Sequence, residues 1–300
     1  MNRTLLSSTL LAAAVTGALA APAFAQQAEP ERSILEVADN LYRVQSGEWF
    51  GMALVTDEGI LLADPLNLDS ATWLKSELEE RFDVPVEYIV YSHHHADHAS
   101  GAQVWPDATV IAHEAAAAPL TPPEDAEALA QFEGQFGSES PFGGTRAPDE
   151  TWSGTEHEIT LGGETVKLIH VDAAHAADMA YVLFPEQRTL FVVDVINIKR
   201  LPFIGAGFSE AELDGLTDLA MAQQFDTVVP GHGDIGTPED VERHRQYHRD
   251  VIAGVQQGLD EGKSLEEIQA ELTLDEYAEW SAYERHGQNV AGAYAYLTAD

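Results

Sequence analysis

Residues 91–98 read Tyr-Ser-His-His-His-Ala-Asp-His, which places imidazoles and a carboxylate at the spacing H-x-H-x-D-H from His93 onward. Imidazole nitrogens and carboxylate oxygens are the protein ligands that hold Zn²⁺ when no thiolate is present. Burying this many polar side chains without a bound ion would carry a large desolvation cost. The stretch is therefore either a solvated histidine-rich loop or one half of a metal site, and the rest of the chain decides between them.

The composition limits the class of protein. The chain has 300 residues, 45% of them hydrophobic, which is enough for one large domain with its own core. It contains no cysteine, so a metal site must use histidine and carboxylate ligands, and no disulfide supports the fold. The 51 acidic residues outnumber the 15 basic ones and give a formal net charge of −36. Nucleic acid and anionic membrane surfaces both require a basic face, so neither is expected as a partner.

The N-terminal segment has the pattern of an export signal. Met1-Asn2-Arg3 gives a short positive start, residues 5–21 are small and apolar, and Ala23-Phe24-Ala25 has the form of a cleavage site. We predict a signal peptide over residues 1–25, with cleavage near Ala25, and a periplasmic or secreted mature protein. No later stretch reaches the ~20 apolar residues of a membrane-spanning helix, so no membrane anchor is expected.

Short apolar runs alternate with amphipathic segments in residues 26–300, which we expect to form a single α/β domain. Strands are predicted at 41–45, 52–56, 59–63, 86–91, 109–112, 156–161, 164–170, 179–184, 189–194 and 227–229. Helices are predicted at 69–82, capped by Asp69 or Ser70, at 209–224, and in two or three pieces after Pro238. Prolines and glycines interrupt residues 119–154, which we interpret as an inserted surface segment with a short helix at 125–132.

Further histidine and aspartate residues stand at the ends of predicted strands. His175 follows the strand at 164–170, Asp194 ends the strand at 189–194, and His232 follows the strand at 227–229. Strand ends in an α/β sheet meet at a common edge, where ligands bind. Two ions a few ångströms apart need about seven protein donors, and a carboxylate can bridge them where a neutral imidazole cannot. The donors predicted in this way are His93, His95, Asp97, His98, His175, Asp194 and His232.

This ordered set resembles the metallo-β-lactamase superfamily, and the likeness covers approximately residues 35–250. The resemblance implies a four-layer αββα sandwich with a metal site along one edge of its two sheets. It implies a first metal held by His93, His95 and His175, a second held by Asp97, His98 and His232, and Asp194 as the bridge. Aspartate at position 194 is similar to the glyoxalase II, lactonase and related hydrolase branches, because secreted zinc β-lactamases usually have Cys or Ser there.

The function implied by the resemblance is zinc-dependent hydrolysis outside the cytoplasm. Two Zn²⁺ ions, with iron or mixed metal as alternatives, would supply a bridging hydroxide that attacks the carbonyl of a lactone, ester, thioester or β-lactam. Asp97 and Asp194 are the predicted catalytic carboxylates, and the expected partner is a small-molecule carbonyl compound. Two other readings stay open: a non-haem iron oxidoreductase on the same fold, similar to persulfide dioxygenases, and a non-catalytic metal-binding protein.

Two residues in or near the motif are not predicted to bind metal themselves. Asp64 ends the strand at 59–63, and we expect it to lie under the motif and to orient a ligand histidine by a hydrogen bond. His94 lies between two predicted ligands, so its side chain should point away from the metals.

Two pairs of residues are predicted to contact the substrate. Trp49 and Phe50 stand in a glycine-flanked loop and could form a mobile flap over an apolar part of the substrate, with a buried turn as the alternative. Lys199 and Arg200 follow Asp194 closely and could receive a substrate carboxylate, with an ordinary surface pair as the alternative.

Overall fold

The computed structural model describes residues 30–137, 144–205 and 209–299. The described residues from Glu31 onward belong to one compact unit. The predicted signal peptide, residues 1–25, lies outside the described residues. Within the described ranges, no helix has both the length and the apolar character needed to cross a membrane.

The first sheet has seven strands that lie side by side in chain order. They are β1 (Arg32–Ala38), β2 (Leu41–Ser46), β3 (Trp49–Val55), β4 (Ile60–Ala63), β5 (Val86–Val90), β6 (Thr109–His113) and β7 (Glu150–Trp152). Neighbours from β1 to β4 are antiparallel, and neighbours from β4 to β7 are parallel. The C-terminal ends of β4, β5 and β6 therefore lie at one edge of the sheet.

The second sheet has five strands in the order β12-β11-β10-β9-β8. Their bounds are β8 (Glu156–Leu161), β9 (Glu164–His170), β10 (Ala180–Phe184), β11 (Thr189–Val193) and β12 (Thr227–Pro230). The strands β11 and β12 are parallel, and the other neighbouring pairs are antiparallel. The ends of β9, β11 and β12 consequently lie at the same edge of this sheet, because β9 and β11 are both antiparallel to β10.

Helices cover the outer faces of the sheets. They are α1 (Leu68–Arg81), α2 (Ala96–Ala99), α3 (Ala117–Leu120), α4 (Ala126–Phe136), α5 (Glu210–Met221), α6 (Pro238–Asp260), α7 (Leu265–Glu271) and α8 (His286–Thr298). The three C-terminal helices α6, α7 and α8 share an apolar cluster of their own.

Successive side chains along a strand point to opposite faces of the sheet and so belong to different layers of the fold. On β4, Leu61 and Ala63 belong to the core between the sheets, whereas Ile60 and Leu62 pack with α1. On the other side of the molecule, α5 packs against the second sheet, and the Tyr181 hydroxyl of β10 donates to the Leu216 carbonyl of α5 at 3.2 Å. The order of layers is helix, sheet, sheet, helix, which confirms the predicted αββα sandwich.

The first two elements differ from the sequence prediction. The strand β1 lies before the first strand predicted from the sequence, at 41–45, and forms because its backbone pairs with β2 although its side chains are only partly buried or exposed. The helix α1 begins one residue earlier than predicted, and its cap is Asn67, whose side chain accepts from the Ser70 amide at 3.0 Å. The predicted cap Asp69 lies instead in the first turn, where it pairs with Arg32.

Residues 119–154 are more integrated into the fold than an inserted surface segment would be. The predicted short helix is α4, which runs further than expected and buries Phe136. Trp152 of β7 is buried in the core between the sheets, and β7 extends the first sheet beside β6. The Arg146 guanidinium also donates to the Trp105 carbonyl at 2.9 Å. Residues 138–143 of this segment lie outside the described residues.

Leu62→Ala is expected to lower the free energy of unfolding by about 2–5 kcal/mol, because the side chain is fully buried against α1. Leu35→Ala is the matched control, since Leu35 on β1 is 47% exposed and should change stability by less than about 1 kcal/mol. Urea unfolding of the two variants measures the difference. Equal losses would contradict the assignment of Leu62 to a packed helix–sheet layer.

Candidate metal centre

The strand ends of both sheets meet at the candidate metal site. From the first sheet, the motif follows β5, and the short helix α2 begins within it, directly after His95. From the second sheet, His175 lies between β9 and β10, Asp194 follows β11, and His232 follows β12. The structure brings the seven predicted donors together in two adjacent groups. The first group is His93, His95, His175 and Asp194, and the second is Asp97, His98 and His232.

The carboxylate of Asp194 faces both groups. Its Oδ2 lies 3.3 Å from His175 Nε2 and 3.6 Å from His93 Nε2. Its Oδ1 lies 3.2 Å from His98 Nε2 and 3.5 Å from His232 Nε2. Each oxygen is therefore directed to a different set of donors, which is the arrangement required of a bridging carboxylate.

The spacing and the partners of these atoms fit bound metal. His93 Nε2 and His175 Nε2 are 3.2 Å apart, close to the ~3.3–3.4 Å that separates two ligands of a tetrahedral ion with bonds of about 2.0–2.1 Å. His98 Nε2 and Asp194 Oδ1 are buried 3.2 Å apart, and neither has a well-aligned hydrogen-bond partner among the described residues. Buried polar atoms without partners are costly, and a cation between them would satisfy both.

Asp64 fixes the orientation of two motif histidines, His98 directly and His93 through Ser92. Its Oδ1 accepts from the Ser92 amide at 2.8 Å, and its Oδ2 accepts from the Ser92 hydroxyl at 2.7 Å and from His98 Nδ1 at 2.9 Å. Since the Ser92 hydroxyl donates to Asp64, its oxygen accepts from His93 Nδ1, 3.0 Å away. Both imidazoles therefore hold a proton on Nδ1 and direct Nε2 towards the donor groups, where a metal would bind.

The β2–β3 hairpin fixes His232 in the same way. His232 Nδ1 donates to the Glu48 carbonyl at 2.7 Å, and the Phe50 amide donates to the Gly231 carbonyl at 3.0 Å. Position 231 has no room for a side chain, because a Cβ there would lie 2.5 Å from Asp194 Oδ1. The glycine before His232 thus lets the backbone approach the Asp194 carboxylate.

The turns into the site require unusual backbone conformations. Val193, directly before Asp194, has φ 51°, and Asp64 has φ 60°. Aspartate tolerates the left-handed region, but a β-branched valine does not adopt it readily. The conformation at Val193 stores about 1–3 kcal/mol of strain, and it turns the chain so that the Asp194 side chain enters the site.

The loop that carries His175 is held at both ends. The Ala174 amide donates to Glu212 Oε1 of α5 at 2.7 Å. His170 Nε2, at the end of β9, donates to the Ala177 carbonyl at 3.0 Å. These contacts fix the backbone on either side of His175 without involving its ring.

Burial and mutual repulsion keep two of the motif histidines neutral. Desolvation, followed by the charge on His98, holds the pKa of His93 well below its usual range. Desolvation, followed by His175, lowers the pKa of His95 to about 4. Neutral imidazoles are the form that binds metal.

The His98–Asp194 pair behaves in the opposite way. Burial alone would lower the pKa of His98, but the Asp194 carboxylate and then Asp64 outweigh it and hold that pKa well above its usual value. Burial would likewise raise the pKa of Asp194, but His98 and His175 outweigh it and hold that pKa well below its usual value. Metal binding at His98 must therefore displace a proton.

A cavity of about 550 Å³ is lined in part by three of the candidate donors, His175, Asp194 and His232. Trp49 lines this cavity, and its Nε1 donates to Asp97 Oδ2 at 3.2 Å, so it contacts a predicted ligand as well as the substrate space.

Phe50 differs from the prediction of a substrate contact. It is 5% exposed and lies under the Arg43 guanidinium, 4.6 Å from its ring centroid. Adjacent residues of a strand point to opposite faces, so Trp49 and Phe50 cannot both face the cavity.

Only one residue of the predicted cationic pair reaches the cavity. Arg200 lines it and pairs with Glu48 at 3.0 Å. Lys199 differs from the prediction, because it is exposed and lines a separate depression with Asp234 and Trp280.

His94 points away from both donor groups, as expected for a residue between two ligands. Its Nδ1 lies 2.7 Å from Asp178 Oδ1, and Asp178 is buried.

Several functional contacts were not anticipated from the sequence. The role of Ser92 could have been predicted from the sequence, since a hydroxyl next to His93 can fix the tautomer of that histidine. Glu48, Glu212 and Arg285 line the cavity but carry no local pattern, because each is far from the motif in sequence.

A sequence profile shows the family of this fold and site. Residues 54–232 match the profile described as "Metallo-beta-lactamase superfamily", which is more than half of the chain. The chain belongs to the metallo-beta-lactamase superfamily.

Individual relatives are more distant. The 2,4-dinitroanisole O-demethylase subunit alpha of Nocardioides sp. (strain JS1661) is 28% identical over 208 residues, which are 68% of this chain and 58% of that protein. This chain thus matches less than two-thirds of the length of that relative.

Solved structures show the same fold. The metallo-beta-lactamase from Pontibacter korlensis aligns with a TM-score of 0.57 at 19% identity, covering 72% of this chain and 98% of that one. The stereoselective inverting sec-alkylsulfatase Pisa1 from Pseudomonas sp. aligns with a TM-score of 0.62 at 17% identity, covering 89% of this chain and 50% of that one. At these identities the likeness concerns the fold alone.

A buried histidine on α6 is linked to Asp194 through Asn197. His244 Nδ1 accepts from the Asn197 amide at 3.3 Å, and the Asn197 side chain donates to the Asp194 carbonyl at 3.4 Å. Burial lowers the pKa of His244 to about 4. The unfolded chain binds a proton at this histidine near pH 6.5, so it holds more protons than the folded chain between these values.

Asp64→Asn is expected to lower zinc affinity by about 10–100-fold, because the amide cannot accept all three hydrogen bonds that orient His98 and Ser92. Asp178→Asn is the matched control, since it removes a buried carboxylate bonded to the non-ligand His94. Competitive chelator titration measures both affinities. A larger loss in the control than in Asp64→Asn would contradict the role given to Asp64.

His244→Gln is expected to flatten the pH dependence of stability in chelator-treated protein. The native histidine contributes stability that is complete above about pH 6.5 and is lost as pH falls towards about 4, in total about 3 kcal/mol. Urea unfolding from pH 4 to pH 7 measures the slope. An unchanged slope in the variant would show that His244 is not buried in its neutral form.

Proposed function

We propose that this protein is a metal-dependent hydrolase that binds two divalent ions and cleaves a carbonyl compound of small-molecule size. The observation that carries the proposal is the Asp194 carboxylate, whose two oxygens face two separate groups of donors. Aspartate at this position also supports the Asp-bridged hydrolase branches over the secreted zinc β-lactamases. Zinc suits the all-histidine and carboxylate donor set, and the same ligand types accept iron.

Two bound ions would supply a hydroxide nucleophile at neutral pH and polarise the substrate carbonyl. Residues of the chain would hold the proton acceptors in place around these ions. Asp97 Oδ2 is held by Trp49 Nε1 at 3.2 Å and lies 3.6 Å from His98 Nε2, so this carboxylate is fixed where it can accept or return a proton. The Nδ1 contacts of His93, His98 and His232 keep their rings from turning during the reaction.

The cavity supports a small substrate. Its volume of about 550 Å³ is in the range of small-molecule sites. A net charge of −36 opposes approach of a polyanion, so a nucleic-acid substrate is disfavoured. Lactones, esters, thioesters and β-lactams are the carbonyl classes proposed, and the signal-like segment at residues 1–25 supports action in the periplasm or outside the cell.

The relative named as a 2,4-dinitroanisole O-demethylase subunit favours a second candidate reaction. An activated aryl methyl ether also offers an electron-poor carbon to a hydroxide, so this compound belongs among the substrates to be tested. A redox reaction at iron is the remaining alternative, and the ligand types at the site accept that metal.

The test is turnover by zinc-loaded protein of a panel that contains β-lactams, acyl-homoserine lactones, aryl esters, glutathione thioesters and 2,4-dinitroanisole. Asp194→Ala is expected to lower turnover by about 10³-fold or more and to lose bound metal, because both donor groups share that carboxylate. Asp226→Ala is a control on an exposed aspartate paired with Arg188 far from the site. Full turnover with full metal content in Asp194→Ala would contradict the proposal.

Metal analysis of protein from its native host separates hydrolysis from redox chemistry. Dominant zinc with hydrolytic turnover supports the proposal. Dominant iron together with oxygen uptake would overturn it in favour of an iron oxidoreductase.

A further inference from the structure

Most lysines and arginines in the described part of the chain have a carboxylate partner. Within residues 30–137, 144–205 and 209–299, the cations without such a partner are Arg43, Lys199 and Arg285. Arg43 is engaged by the Phe50 ring and by Gln45 Oε1 at 2.8 Å. Lys199 lines a separate surface depression. Arg285 lines the cavity above the metal site.

The carboxylates that line the same cavity are already engaged. Glu48 pairs with Arg200 at 3.0 Å, Glu212 accepts from the Ala174 amide at 2.7 Å, and Asp194 faces the metal donors. Arg285 therefore makes no ion pair with a carboxylate among the described residues. In a chain with 51 acidic residues, this leaves one guanidinium available to an anion that enters the cavity.

The backbone around Arg285 is fixed, so its side chain starts from a defined position. Arg285 immediately precedes α8, and no acidic residue occupies the first turn of that helix. The neighbouring His286 stacks on Tyr283 with ring centroids 5.5 Å apart, and its Nε2 donates to the Leu272 carbonyl at 2.6 Å. A guanidinium on a fixed backbone loses less conformational freedom when it binds a carboxylate in a bidentate manner.

Part of the wall of the cavity that Arg285 lines is apolar. Leu213 and Leu216 of α5 contribute to it, together with Pro202 and Phe203. Phe203 is 68% exposed, which is unusual for so large an apolar side chain and leaves its ring accessible to a ligand.

We infer that Arg285 binds a carboxylate of the substrate, so that the substrate is an apolar molecule with an acidic group at one end. The inference rests on the proposed function, because that function defines which bond of the substrate reacts. Binding of an anion at Arg285 can nevertheless be tested without turnover. Arg285 then sets specificity by holding the acidic end while the apolar body lies along Leu213, Leu216 and Phe203.

The experiment is isothermal titration of zinc-loaded protein with 4-phenylbutanoate and with its neutral analogue 4-phenylbutanamide. The variants are Arg285→Gln, Arg285→Lys and Lys199→Gln. Lys199→Gln is the matched control because it removes the same charge from another cation without an acidic partner, outside this cavity. Circular dichroism and zinc content verify that each variant is folded and loaded, and a chelator-treated sample of each is titrated in parallel.

The wild-type protein is expected to prefer the carboxylate over the amide by about tenfold or more, as a charge-assisted hydrogen bond requires. Arg285→Gln should reduce this preference to within about twofold, Arg285→Lys should keep part of it, and Lys199→Gln should keep all of it. The preference should also survive chelation.

Four results would overturn the inference: no preference in the wild type, an unchanged preference in Arg285→Gln, an equal loss in Lys199→Gln, or a preference that disappears on chelation. The last would show that the metal binds the carboxylate. None of these results depends on whether any substrate is hydrolysed.

Discussion

The carboxylate of Asp194 is the constraint on which the rest of the site depends. One oxygen faces His93 and His175, and the other faces His98 and His232, at 3.2–3.6 Å. Two of these histidines come from the first sheet and two come from the second, so the edges of both sheets must meet at one side chain. The positive φ of Val193 is a local cost of that requirement, and the absence of a side chain at Gly231 is a second consequence.

Around this carboxylate, the fold determines how the imidazoles are oriented. Asp64 and Ser92 hold the motif histidines from below, and the Glu48 carbonyl holds His232 from the side of the β2–β3 hairpin. Each contact uses Nδ1 and directs Nε2 inward. Without an ion, neutral lone pairs and a buried His98–Asp194 pair would face one another at short range. Metal binding should therefore contribute to the stability of this edge of the sandwich as well as to its chemistry.

Much of the fold could be predicted from the sequence because apolar alternation marks buried strands. The runs at 156–161 and 164–170 match β8 and β9 residue for residue. The strand β1 and the segment around Trp152 escaped prediction because pairing and burial there depend on neighbours far along the chain.

The grouping of the candidate metal donors could be predicted because their residue types and their order along the chain are rare in combination. The substrate contacts were harder, because sequence neighbours such as Trp49 and Phe50, or Lys199 and Arg200, point to different faces of the structure. Arg285 could not be found from a local pattern at all. The inference about Arg285 depends on its having no ion-pair partner among the described residues, and this follows from the packing of α8 rather than from the local sequence.

The most direct measurement is anomalous diffraction at the zinc absorption edge from crystals of the zinc-loaded protein. Two peaks about 3.5–4 Å apart are expected, one on each side of the Asp194 carboxylate. One should lie within bonding distance of His93, His95 and His175, and the other within bonding distance of Asp97, His98 and His232. A single peak that does not contact Asp194, or no ordered zinc at these donors, would contradict a dinuclear centre built on this carboxylate.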